Sequence, residues 1–107
     1  MTKLMSFSAI ALALAAAVSN VNAQAVGDPK EGLTLAQKIC AECHATVAGQ
    51  DLSPNAQAPT FVTLAATPGM TRTALLVALT TPHAGMPMFM LDDKQRDDII
   101  AYILSLH

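Results

Sequence analysis

The sequence predicts an all-α fold, three to four helices and long loops wrapped around a bulky group that the side chains alone do not supply. Three observations predict it. Helical periodicity with a capping residue at its start recurs in three windows, opening at Asp28, Thr71 and Asp92. Between Ala45 and Thr67 no period is sustained, and Gly, Pro, Asn and Ser interrupt scattered apolar residues. A connection of that length is uncommon in a small domain unless it encloses something. Finally, apolar bulk is scarce: the chain has no Trp, and beyond residue 23 only Phe61, Phe89 and Tyr102 are aromatic.

In chain order, residues 1–23 read as a secretory signal peptide. Lys3 gives the positive start, Leu4 to Val18 the apolar stretch, and Val21-Asn22-Ala23 the small-residue end suited to cleavage before Gln24. The apolar stretch is too short and too poorly flanked for a membrane span, and an uncleaved anchor is the other reading. Residues 24–107 form one small domain with room for nothing else. That domain carries five basic and eight acidic side chains, a net charge of −3. This balance offers no basic patch for nucleic acid or an anionic membrane surface.

Gln24 to Gly27 reads as a loose lead-in. Asp28-Pro29-Lys30-Glu31 then starts a helix: Asp28 caps, Pro29 suits the first position, and Glu31 completes a pattern like a capping box. The helix runs through Leu33, Leu35, Ala36 and Ile39 and delivers Cys40-Ala41-Glu42-Cys43-His44 at its end. Gly32 inside it costs about 1 kcal/mol against alanine, so close approach of another helix is expected there.

Cys-x-x-Cys-His is the attachment signature of haem c. Two intervening residues let both sulfurs reach neighbouring vinyl groups of the porphyrin, and the histidine that follows sits under the iron. Cys40 and Cys43 are the only cysteines of the chain. Three other readings are weaker. A thioredoxin-type pair follows a strand, and no strand-like run precedes this one. A zinc site wants four ligands, and the spare candidates His83 and His107 lack the spacing. A disulfide between cysteines three apart closes too small a loop to stabilise much. Covalent attachment of this kind belongs outside the cytoplasm, so the motif and the leader agree on an exported, periplasmic protein. Within the following loop Pro59 is a candidate for offering its carbonyl to the free ring nitrogen of His44, which would orient the ring and raise its basicity.

Pro68-Gly69-Met70-Thr71 reads as turn and cap. Arg72 to Thr80 follows as a short helix buried on much of its circumference, ended by Pro82. His83 to Met90 is too rich in Gly and Pro for a helix. Its methionines Met86, Met88 and Met90, with His83, are the candidates for a second axial ligand. Met86 is preferred, because Gly85 lets the backbone approach the porphyrin and Pro87 fixes the dihedral after it. A methionine raises the reduction potential where a second histidine would lower it. Asp92-Asp93-Lys94-Gln95 opens the last helix, with Ile99, Tyr102, Ile103 and Leu106 on one face. That face is expected to cross the first helix where Gly32 makes room for Tyr102. Lys94, Arg96, Asp97 and Asp98 read as a solvated face.

Gly32 eight residues before Cys40, the complete haem motif, Gly85-Met86-Pro87, and Asp98-Ile99-Ile100-Ala101-Tyr102-Ile103 occur in that order. In this the whole of residues 24–107 resembles the class I c-type cytochromes, particularly their short bacterial members. The resemblance implies the small cytochrome c fold, one covalent haem held by Cys40 and Cys43, His44 as proximal ligand and Met86 as distal ligand. It departs from the family at Ala36, where many members place an aromatic, in lacking a Trp for a haem propionate, and in a short loop between His44 and Met86.

The function expected is that of an exported monohaem electron carrier, not an enzyme, meeting redox partner proteins through a mostly apolar surface that includes Met70, Met88 or Phe89. Stable membrane insertion is not expected once the leader is removed. Two other readings are a tightly held electron-transfer subunit of a periplasmic dehydrogenase or oxidase, and a haem peroxidase or gas-binding protein with an open sixth position. The last needs Met86 absent or displaceable, and the chain offers no evident distal acid–base pair.

Overall fold

The computed structural model describes residues 26–107, which form four helices and, among the described residues, no strand. The leader expected over residues 1–23 lies outside them. Helix α1 spans Pro29–Ile39, α2 Phe61–Ala66, α3 Arg72–Thr80 and α4 Asp93–Ser105. The fold is a small all-α bundle in which α1, α2 and α3 all pack on α4.

Each start follows from its cap. Asp28 accepts from the N–H groups of Lys30 and Glu31, Thr71 from Ala74, and Asp92 from Gln95, whose side chain returns the bond in a full capping box. At α1 the box expected from Glu31 is not made. The N–H of Asp28 instead donates to Oδ1 of Asp98, 2.8 Å away.

That bond corrects the reading of Asp98 as part of a solvated face. Its side chain is buried and accepts from Lys94 at 2.6 Å as well. The Lys94 bond, then the Asp28 N–H, hold its carboxyl below the usual carboxylate range against the opposing effect of burial. Nor is the lead-in loose at its end. Gly27, at φ +95°, lies so close to α4 that a Cβ would stand 2.1 Å from the carbonyl oxygen of Asp97. A carboxyl whose folded pKa is depressed stabilises the fold above its unfolded pKa and loses that stabilisation as pH falls. Stability should therefore drop on acidification below about pH 4, where an unfolded aspartate takes its proton. In Asp98→Asn, chemical denaturation across pH 5 to 3 should show a flatter slope; an unchanged slope would remove Asp98 from acid stability.

The core lies between α1 and α4. Ala36, Phe61, Ala65, Leu75, Ile99, Ile100, Tyr102 and Ile103 are buried together with Cys40. Gly32 is buried at the crossing, where the nearest group is the carbonyl of Asp98, with Cβ of Tyr102 behind it. Two further expectations need correcting. α3 is not buried on much of its circumference: Leu75 alone is buried, while Ala74, Val77 and Ala78 face outward. And the stretch Ala45–Thr67 contains α2, capped by Thr60. Six residues are fewer than two turns, too short to set up a readable period.

Candidate haem site

α1 ends at Ile39, and Cys40 is its C-cap, so the motif is not carried on the helix itself but on the turn that follows. The carbonyl of Cys40 accepts from the N–H of Cys43 at 3.2 Å and of His44 at 2.9 Å. This turn brings Cys40, Cys43 and His44 to one end of α1. Cys40 is buried and Cys43 half-buried, and no disulfide joins them. Burial pushes the Cys40 thiol up to about 11, so in the closed fold it behaves as a small apolar side chain.

Three interactions hold His44. Its Nδ1 lies 2.7 Å from the carbonyl oxygen of Pro59, as the sequence suggested. Its ring stands 5.4 Å from that of Phe61, which in turn lies 6.3 Å from Tyr102. The backbone after it is pinned: Ala45 donates to Ser53 Oγ at 2.9 Å, and its carbonyl accepts from Phe61 at 2.9 Å. The Tyr102 hydroxyl donates to the buried carbonyl of Thr46 at 2.5 Å, which ties α4 to the loop two residues past His44. With Nδ1 donating to a carbonyl, the tautomer leaves the Nε2 lone pair available to a metal.

Met86 lies on a separate segment, after α3. His83-Ala84-Gly85-Met86 is a tight turn in which the N–H of Met86 reaches the carbonyl of His83 at 3.4 Å. Gly85 has φ +82°, the left-handed geometry of the third turn residue, and a Cβ there would meet nothing within 4 Å. The turn's need for glycine is thus conformational. Met86 is half-buried, whereas Met88, Phe89 and Met90 are exposed, Met90 fully. The imidazole of His83 is engaged with its own helix, Nε2 lying 3.1 Å from the carbonyl of Ala78.

Sequence reasoning passed over Ser53, Thr46 and this bond of His83. Only His83 left a signal, as a histidine just past a helix end, where it can satisfy an unpaired carbonyl. Among the described residues no three His, Cys, Asp or Glu side chains cluster to hold a metal ion. The two thiols and the oriented imidazole that the turn brings together are the groups that attach and ligate haem c, while Met86 comes from the separate segment after α3.

Residues 27–103 match the family model described as cytochrome C oxidase, cbb3-type, subunit III. Cytochrome c-552 of Bradyrhizobium diazoefficiens is 39% identical over 97 residues, which cover 91% of each chain. The chain belongs to the c-type cytochromes. Membership carries a covalently bound haem c, and Cys40 and Cys43 have the spacing that attaches it. A c-type cytochrome of this kind is a monohaem electron carrier that works with redox partner proteins. No solved structure is significantly similar to this cytochrome. Among the described residues, no helix is long and apolar enough to cross a membrane.

Proposed function

We propose that this cytochrome is an exported shuttle, residues 1–23 its leader and residues 24–107 its working domain in the periplasm, passing single electrons and performing no catalysis of its own. Cys40 and Cys43 hold the haem by thioether bonds, His44 is the proximal ligand and Met86 the distal one. Haem held in this way supplies a one-electron ferrous/ferric couple. The observation that carries the reading is the 2.7 Å bond from His44 to Pro59, which leaves the other ring nitrogen free on the residue that directly follows the two cysteines. Met86 is favoured over the other candidates by its half-burial, since Met88 and Met90 point outward and the His83 ring is bonded to Ala78. A proximal ligand held as firmly as His44 suits a carrier, because little has to move on that side between oxidation states.

The match to an oxidase subunit model favours a second reading, an electron-transfer subunit held in a larger oxidase. The relative named simply as a cytochrome, aligned over nine-tenths of its length, favours the free carrier. Co-purification at native expression distinguishes the two.

The spectrum of the exported protein tests the ligands. Sharp low-spin bands, a methionine-to-ferric charge-transfer band lost in Met86→Ala, and indifference of the reduced form to carbon monoxide are expected. Rapid carbon monoxide binding by the unmodified protein would replace the carrier with a gas-binding protein or peroxidase.

Docking follows from the charge distribution. Between Asp51 and Asp92 the only side chain charged at pH 7 is Arg72, and it is paired with Asp97. Leu52, Val62, Val77, Met88, Phe89 and Met90, nearly all the exposed large apolar residues, lie in that segment. Met70 is half-buried and packs partly on the core. A partner meeting Met88 and Phe89 gains little from long-range steering. The bimolecular electron-transfer rate with that partner should vary by less than about threefold between low and high salt. A tenfold fall would move docking to the charged residues outside this segment.

A further inference from the structure

The loop from Thr81 to Met90 is held by very little. Every residue in it is exposed except Met86, and its backbone makes few hydrogen bonds. Among the described residues one side-chain hydrogen bond secures it, that of His83 Nε2 to the carbonyl of Ala78. The place of that bond matters. The last carbonyls of a helix lack partners within it. At the end of α3, Val77 is served by the N–H of Thr81 and Leu76 by the hydroxyl of Thr80. Ala78 is served by the His83 ring, and the backbone carbonyl of His83 receives the N–H of Met86.

His83 therefore joins two things, the fixed end of α3 and the turn that ends in Met86. α3 is itself anchored, because Leu75 is buried against α4 and Arg72 is paired with Asp97. The geometry points to His83 as a positioning residue: its imidazole ties the Met86 turn to α3 and so keeps the thioether from leaving the iron. This rests on Met86 being the distal ligand. It gives His83 a role as a tether, where the sequence offered it only as a competing ligand.

The test is the rate at which imidazole replaces the distal ligand in the ferric holoprotein, followed by loss of the methionine charge-transfer band. His83→Ala should speed replacement by about fivefold, the net worth of one hydrogen bond whose carbonyl water can otherwise reach. His83→Gln places an amide N–H near the position of Nε2 and should restore the original rate to within about twofold. His83→Asn, one bond shorter, should behave as alanine does. Thermal unfolding should change little across the three, because the ring lies on an exposed loop. Replacement at the original rate in His83→Ala, or equal rates in the glutamine and alanine variants, would overturn the tether. Failure of the ligand assignment shows elsewhere: Met86→Ala would then keep the charge-transfer band. If both assignments hold, His83→Ala added to Met86→Ala changes nothing further.

Discussion

Gly32→Ala should destabilise this cytochrome by about 3 kcal/mol or more, the upper end of what an over-packed core costs, and lower its melting temperature by roughly 15 °C. A Cβ at Gly32 would lie 1.9 Å from the carbonyl oxygen of Asp98, 2.5 Å from its carbon and 2.7 Å from Cβ of Tyr102. None of these atoms is the end of a flexible side chain, so the helices themselves must part. α4 cannot move alone. Asp98 holds the N–H of Asp28, and Tyr102 holds the carbonyl of Thr46 beside the haem motif. Parting α1 from α4 loosens both. The sign makes the test decisive, because alanine is better in a helix than glycine by about 1 kcal/mol, and an open crossing would make the variant more stable. Gly49→Ala is the control. Gly49 has φ +86° and nothing within 4 Å of a Cβ, so only left-handed strain is added, about 1–2 kcal/mol. If calorimetry finds Gly32→Ala no worse than Gly49→Ala, the crossing is not tight.

This crossing was legible from the sequence because a costly helical glycine and a facing tyrosine each ask for the other. Three of the four helices were legible for a similar reason: Asp28, Thr71 and Asp92 announce their starts, and a run of apolar residues follows each. α2 was not, because its six residues carry no period and its cap, Thr60, is one of several threonines. Asp98 was misread because its neighbours Arg96 and Asp97 are charged and its partner Asp28 is 70 positions away. Burial decided by so distant a segment leaves no local trace. The site shows the same contrast. Cys40, Cys43 and His44 sit within five residues, where chemistry dictates the spacing, and Pro59 was found by asking what must orient a ligating histidine. The expectation of a largely buried α3 came from reading six apolar residues in a row as a core segment. The helix instead turns Ala74, Val77 and Ala78 outward.

Cys40→Ala together with Cys43→Ala should leave an exported chain with no covalent haem and little cooperative structure. Haem staining after denaturing electrophoresis and far-ultraviolet circular dichroism check the two halves of this expectation. The reason lies in how small the core is. Among the described residues, the buried apolar side chains include the alanines Ala36, Ala45 and Ala65, and only Ile99 and Ile100 are large side chains that are fully buried. A domain of this size has a margin of roughly 5 kcal/mol or less from its own core. A group bound only by the folded state adds its binding free energy to that margin, and an attached one cannot be diluted away. The apolar side chains of α3 contribute little while they face solvent, and a flat porphyrin is a surface they can pack on. Either single variant keeps one thioether and should retain both haem and cooperative unfolding, with a lowered melting temperature. Cys40→Ala should lose more than Cys43→Ala, because Cys40 is also buried among Ala36, Phe61 and the α4 isoleucines. A double variant that melts cooperatively with undiminished helicity would mean that α1 and α4 hold the fold unaided, and that the haem is cargo and not core.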